Sequence, residues 1–419
     1  MNILFVSMIP FENNASSTIR NIGIVKGLAV KGHNIDIMTL CPNQKSVSYD
    51  ESINDINGIV NKKYYIETDK YYNMLMAKKH IISDDSINSV DSVEKNGKSR
   101  FNFNIIKAVR NLMVKIYKNL FIFDAQKMNV KKVKKIKTDY NQYDVIISSS
   151  DPKSSHLIGA EIRKNNKTRR FKWIQYWGDP MLNDITRKKS WRDFIVKYYE
   201  NKLIKQADSV IYASPLTLKI QQEIFPRYAD KMNFVNQACI SESEAGGLSG
   251  LPVKQQNDIV SIGYFGAYNS NVRNILPLYN AALKSNYKLN IYGSSDIDLK
   301  STDNISVGDK ITYYEALKKE MESDILICIC NIKGTQIPGK IYYCASYKKP
   351  VIIILDGEYI DELKDYFNKF DRFILCENNE ESIINAVNTA KEQLNLNMAY
   401  NIPKELTPDF IAGKILNSI

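Results

Sequence analysis

The chain of 419 residues is narrowed first by what it lacks. Its six cysteines, Cys41, Cys239, Cys328, Cys330, Cys344 and Cys376, form no C-x-x-C pair and have no histidine cluster beside them. Most lie inside apolar runs. That argues against a disulfide scaffold or a zinc site and for a reduced, cytoplasmic chain. No apolar run reaches about 18 residues, so no segment reads as a membrane span. The opening "MNILFVSMIP" has no basic leader and only a short apolar run, so it reads as a first strand rather than a signal peptide. Neither G-x-S-x-G, H-E-x-x-H, a Walker loop nor G-x-G-x-x-G occurs. The hydrolase elbow, the zincin helix, the P-loop and the dinucleotide fingerprint are therefore unsupported. The Asp-Ile-Asp run at 296–298 is too short a match to assign a metal, and neither a metal nor a cofactor is expected.

What is present is a chain of ordinary hydrophobic content, 44%, long enough for two domains. The formal charge of +11 suits a surface that meets anionic lipid, nucleic acid or a phosphorylated small molecule. A lysine-rich solvated surface explains the same number.

Strand and helix patterns alternate along the chain. "NILFVSM", a helical period over "TIRNIGIVKGLAVKG" and "NIDIMTL" predict a βαβ unit with parallel pairing. Residues 43–100 read as a polar, irregular insertion, and 101–138 as basic and amphipathic. The rhythm resumes with the strands "YDVIISSS", "FKWIQYW" and "DSVIYAS". The polar, glycine-containing stretch 240–257 predicts a linker. A second series runs from "DIVSIGYFGAY" to "FILC" and the helical "ESIINAVNTAKEQL". The division is thus a first domain at 1–239 with an inserted, basic region at 43–138, a second domain at 258–399, and a final helical tail at 400–419. The expected fold class is α/β, with two parallel-sheet, Rossmann-like domains facing across a cleft.

Ligands of open parallel sheets bind beyond the strand C-termini, so the candidates lie in the loops there. In "GTQIPGKIYYCASYKKPVIII", Gly339 and Lys340 open a helix directly before a buried strand. Helix N-termini attract anions, and a lysine there suggests an anion to meet. Gly266 and Arg273 follow the first strand of the second domain, where a guanidinium fork suits phosphate. Ser294 lies in the turn "YGSS". In the first domain, Asp179 of "WGDP" follows a strand and suits proton transfer or orientation of a hydroxyl. Ser16 and Ser17 lie at the first strand–helix turn and Asp151 in the loop "SSSDPKSSH", while His156 falls on a helix and reads as a packed or surface residue. Lys107, Arg110, Lys115 and Lys118 on the apolar-faced stretch 105–123 suit either an anionic membrane surface or a helix packed on its domain with solvated lysines. Few aromatics interleave with Lys131, Lys132, Lys134, Lys135 and Lys137, which counts against nucleic acid. Val130, Val133 and Ile136 there form a core stripe.

Taken in order, "MNILFVSMIP…SSTIRNIGIVKGLAVKGHNIDIMTL", "YDVIISSSDPKSSHLIGAEIRKN…FKWIQYWGDP", "GYFGAY…R", "DILICIC" and "IPGKIYYCASYKKPVI" resemble family 4 GT-B glycosyltransferases of bacterial capsule, exopolysaccharide or O-antigen synthesis. The resemblance spans nearly the whole chain apart from roughly residues 43–100. It implies metal-free, retaining transfer from a nucleotide sugar to a lipid-linked oligosaccharide by a protein peripheral to the inner membrane face. It also implies that Arg273, Gly339 and Lys340 bind the donor diphosphate. Asp179 would then stand near the anomeric centre, Gly308 to Ile311 near the nucleobase, and the last helix would cross back to the first domain. Many members carry two glutamates eight residues apart, and here Thr335 and Tyr343 occupy those positions. Two other assignments stay open: a nucleotide-sugar epimerase, and a non-catalytic binding protein on the same fold.

Overall fold

The computed structural model describes residues 1–46, 48–53, 56–69, 72–73, 122–166, 170–240 and 259–419. The basic positions Lys107, Arg110, Lys115 and Lys118 lie outside these residues, as does the linker apart from Ile240. Aliphatic runs become strands covered on both faces, as parallel sheets require. The first sheet contains β1 (Asn2–Ser7), β2 (Asn34–Leu40), β3 (Lys62–Ile66), β4 (Val145–Ser149), β5 (Lys172–Trp177), β6 (Ser209–Tyr212) and β7 (Met232–Phe234). Its order is β3-β2-β1-β4-β5-β6-β7, with every pair parallel. The second contains β8 (Ser261–Phe265), β9 (Lys288–Tyr292), β10 (Ile305–Gly308), β11 (Ile325–Ile329), β12 (Val351–Leu355) and β13 (Ile374–Glu377), ordered β10-β9-β8-β11-β12-β13. All its pairs are parallel too. In both sheets the order reverses beside the first strand of the domain. The crevices for ligands therefore open after β1 and β4, and after β8 and β11.

The stretch 43–100 differs from its expected irregularity, because β3 pairs with β2 at the sheet edge. The alternation in Lys-Lys-Tyr-Tyr-Ile buries Tyr64 and Ile66 and leaves Lys62 and Tyr65 outside. Five residues set among polar ones give too short a period to stand out in sequence. Farther on, the 3-10 turns of Ala125–Lys135 bury Val130 and Val133 and keep Lys131, Lys134 and Lys135 in solvent.

The helices named below are α1 (Ser16–Val30), α2 (Ser154–Asn165), α3 (Asp193–Gln206), α4 (Pro215–Ile224), α5 (Leu276–Leu283), α6 (Tyr313–Glu322), α7 (Lys340–Cys344), α8 (Ile360–Asn368), α9 (Glu380–Asn395) and α10 (Pro408–Leu416). Thr312 and Glu315 close a reciprocal capping box that fixes the start of α6. Pro408 starts α10, whose Ile411, Ala412 and Ile415 join the first domain's core beside Ile24 and Leu28. A Cβ on Gly27 would stand 1.9 Å from the Pro408 carbonyl oxygen, so only glycine lets α10 cross α1 at this distance. Cys239 N–H donates to the Leu406 carbonyl at 2.8 Å, and Ser209 Oγ to Ser418 Oγ at 2.7 Å. The C-terminal tail is thereby tied to the first domain.

Candidate functional site at the seam between the sheets

In the second domain the ends of β8, β9 and β10 meet backbone to backbone. Gly266 N–H donates to the Tyr292 carbonyl at 3.0 Å, and Gly293 N–H to the Gly308 carbonyl at 3.2 Å. A Cβ on Gly293 would fall 1.9 Å from the Gly266 oxygen, which explains the glycine before Ser294. Ser294 itself is exposed on the rim, where its carbonyl accepts from Tyr268 N–H. Arg273 stands three residues before α5. Its Nε donates to Asn331 Oδ1 at 3.1 Å and its Nη1 to the Ala267 carbonyl at 2.9 Å. Asn331 lies directly after β11, so the guanidinium joins the two loops of this domain's switch point.

Lys340 begins α7, a single turn. Its ammonium pairs with Glu320 of α6, which is 1% exposed against 30% for the lysine side chain. Burial works against the ammonium, but Glu320 outweighs it and raises the lysine's pKa. Tyr347 Oη also donates to Glu320, at 2.7 Å. In the ligand-free fold the anion beside Lys340 is thus the Glu320 carboxylate.

In the first domain, the chain turns after β5 through Gly178, Asp179 and Pro180. Glu200 of α3 is fully buried and accepts the N–H groups of Met181 and Leu182, both at 2.9 Å. Burial pushes Glu200 up to about 7 against those two bonds. Asp179 belongs to a carboxylate group built around Lys153, whose Nζ stands 2.6 Å from Asp151 Oδ1 and 2.5 Å from Asp184 Oδ2. Burial first, and then the Asp151 charge, pushes Asp179 up to about 8. Asp184 is held low by Lys153 despite its burial. A carboxyl raised in this way can donate a hydrogen bond while it holds its proton and accept a proton once ionised. His156 is fully buried, stacks on Trp177 at 4.1 Å and bonds Ser148 Oγ at 2.8 Å through Nδ1. Burial, then Lys153 and Arg20, keep it neutral, so it packs rather than catalyses.

The two halves meet through the loop 331–339. Gln336 Nε2 donates to the Asn183 carbonyl at 2.8 Å, and a Cβ on Gly334 would meet Ile185 at 2.2 Å. The loop 331–339 therefore touches the loop that carries Asp179. Thr335 is buried against α4: its carbonyl accepts from Ser214 Oγ at 2.6 Å and Thr217 Oγ1 at 3.1 Å. Tyr343 Oη donates to the Ser16 carbonyl at 3.0 Å, and Gly339 faces Ser16 Oγ and Gln237 so closely that a Cβ would stand within 2.8 Å of both. Ser17 sits half-buried on the same helix start. Lys310 Nζ reaches the Asn14 carbonyl at 3.2 Å, and Tyr313 N–H reaches Asp50 Oδ2 at 2.7 Å. Thr335 and Tyr343 thus bridge the domains, where the resemblance implied ligand carboxylates.

Sequence reasoning missed Glu320, Lys153, Glu200 and Arg20. Glu320 and Glu200 look like surface positions of helices, and only tertiary packing buries them. Lys153, two residues after Asp151, was open to notice as a counter-ion.

With this geometry, the chain superposes on solved glycosyltransferase-fold structures over nearly its full length. The catalytic domain of starch synthase IV from Arabidopsis thaliana, bound to ADP and acarbose, matches with a TM-score of 0.53 and 10% identity, covering 98% of this chain and 94% of that one. A glycosyltransferase from Rickettsia africae matches at 0.50 and 14%, covering 100% and 93%. The E. coli trehalose-6-phosphate structure bound with UDP-2-fluoro glucose matches at 0.50 and 9%, covering 100% and 96%. No family model and no curated protein matches the chain. At these identities the likeness establishes the fold: two facing parallel-sheet domains of the GT-B type.

Proposed function

We propose that the chain is a retaining glycosyltransferase that moves a sugar from a nucleotide-sugar donor to a lipid-linked saccharide during surface polysaccharide assembly, as family 4 enzymes do. One observation carries this: the loop holding Asp179 touches the loop that leads into Gly339 and Lys340, with Arg273 behind it. An acceptor hydroxyl beside Asp179 would face a donor whose diphosphate lies on Arg273 and the start of α7. Those cations would stabilise the charge that develops on the leaving nucleotide. Among the described residues no group of three or more His, Cys, Asp or Glu side chains suits a metal. The neighbours bound to ADP or UDP-2-fluoro glucose support a nucleotide-sugar donor.

Membrane proximity has its own support. Trp191, Phe194 and Tyr198 are 77%, 65% and 60% exposed and share one side of α3 and its approach. Exposed Lys188, Lys189, Lys197, Lys202 and Lys205 surround them. Aromatic side chains flanked by lysines suit an anionic bilayer surface. Among the described residues no helix is long and apolar enough to cross a membrane.

A second assignment, a non-catalytic donor-binding protein, draws on Thr335 and Tyr343 bonding the first domain in place of two carboxylates. The test is a thermal-shift screen over nucleotide sugars, followed by product formation on lipid-phosphate saccharides. Stabilisation by one donor and a glycosylated product support transfer. Stabilisation without product supports the binding protein, and interconversion of the donor alone marks an epimerase.

A further inference from the structure

Helix α1 carries a buried arginine to the switch point of the first sheet. Arg20 stands four residues after Ser16, on the same face of the helix, and is 4% exposed. Its guanidinium covers Gly178, where a Cβ would stand 2.3 Å from Nη1, and its Cζ is 5.3 Å from the centre of the Tyr176 ring. Nε and Nη2 are buried without a hydrogen-bond partner. No carboxylate pairs with the group among the described residues. Asp151 and Asp184 are both engaged by Lys153.

A guanidinium remains charged at every accessible pH, and buried unfilled N–H donors oppose folding. A fold that keeps such a group in a cleft has a reason to meet an anion there. The helix in front of it adds a second, independent feature. Ala15 at the N-cap offers no side-chain bond, and the first turn of α1 holds no acidic residue. Its free N–H groups and dipole favour an oxyanion. Ser16 is exposed and Ser17 half-buried, while Arg20 is buried one turn farther along the helix.

We propose that Arg20 and the uncapped start of α1 form an oxyanion site in the first domain that takes a phosphate group of a substrate. The planar fork suits two phosphate oxygens, with the Ser16 and Ser17 hydroxyls and N–H groups as further donors. Entry requires the seam to part, because Gly339 and Tyr343 press against Ser16. The phosphate belongs either to the acceptor or to the donor diphosphate. That choice of source rests on the transfer assignment, whereas the site itself does not.

The experiment compares wild type, Arg20→Met and Arg20→Lys in thermal melts with inorganic pyrophosphate against sodium chloride of equal ionic strength. The site is supported if pyrophosphate raises the wild-type melting temperature, Arg20→Met loses the response, and Arg20→Lys binds roughly tenfold more weakly. Ligand-free Arg20→Met should melt no lower than wild type, since it removes an unpaired buried charge. An unchanged pyrophosphate response in Arg20→Met, or none in wild type, overturns the site. If Arg20→Met fails to fold, Arg20→Lys decides: unchanged affinity overturns the proposal. With turnover in hand, a higher KM for the acceptor alone assigns the phosphate to the acceptor, and a higher KM for the donor alone assigns it to the donor. Unchanged KM values in Arg20→Met overturn the site while leaving transfer intact. Arg20-dependent pyrophosphate binding without turnover of any donor leaves the site standing and removes transfer.

Discussion

Asp179 ties the stability of the fold to pH. Its carboxyl is pushed up to about 8, mainly by burial and then by Asp151. Between the ordinary aspartate value near 4 and about 8, the folded chain keeps a proton that the unfolded chain has lost. The contribution of this group to stability therefore falls as pH rises through that window. Asp179→Asn should flatten the trend, so that the variant melts above wild type at pH 9 and close to it at pH 5; parallel melting curves across this range would contradict the assignment. Lys340 and Glu320 make a second case. Lys340→Ala leaves a carboxylate that is 1% exposed without its ion partner, which should cost about 1–3 kcal/mol, less than for a fully buried pair because the lysine is 30% exposed. Chemical denaturation of Lys340→Ala and Lys340→Ala/Glu320→Gln checks this, with the double variant expected to recover part of the loss. The double variant is thus the cleaner probe of a donor role for Lys340. The place of Asp179 just after β5 was legible in sequence, because a Gly-Asp-Pro turn ends an apolar strand. Glu320 was not: twenty residues separate it from Lys340, and nothing local marks the one helix position that turns inward.

At the scale of elements, the loop 331–339 and α7 carry the contacts between the two domains. Their bonds to Ser16, Ser214, Thr217 and Asn183 all cross the seam. Tyr343→Phe removes the hydroxyl that holds the Ser16 carbonyl, a contribution of about 1 kcal/mol to the closed arrangement. Small-angle scattering of the ligand-free variant should show a larger radius of gyration than wild type, and an identical radius would deny the latch. The strands at the switch points were readable from aliphatic runs such as "DILICIC" and "KKPVIII". The edge strands β3 and β7 were not, because one covered face and few residues leave only a weak alternation. The bridging role of Thr335 and Tyr343 was also hidden, since their partners come from the other domain.

For the whole molecule, basic side chains and exposed aromatics share one region of the first domain's surface. The basic groove of about 730 Å³ beside α2 and α3 is lined in part by Lys127, Lys131, Lys164, Lys202 and Lys205. It continues the face that presents Trp191, Phe194 and Tyr198. Trp191→Ser/Phe194→Ser should keep the fold but lower sedimentation with anionic liposomes at least severalfold at low salt, and added salt should weaken wild-type binding. Equal sedimentation of variant and wild type would contradict the proposed membrane contact at this face. The two-domain plan was visible in the alternating series and their polar break, whereas the closeness of the halves depends on contacts that no single-strand pattern encodes. The central claim, transfer from a nucleotide sugar, is tested most directly by nucleoside diphosphate release from a donor panel in the presence of lipid-phosphate saccharides, for wild type and Arg273→Ala. The account expects one donor to release its nucleotide, with kcat/KM falling roughly a hundredfold in the variant, as loss of a leaving-group contact predicts. Absence of release from every donor, or equal release by both proteins, would contradict it.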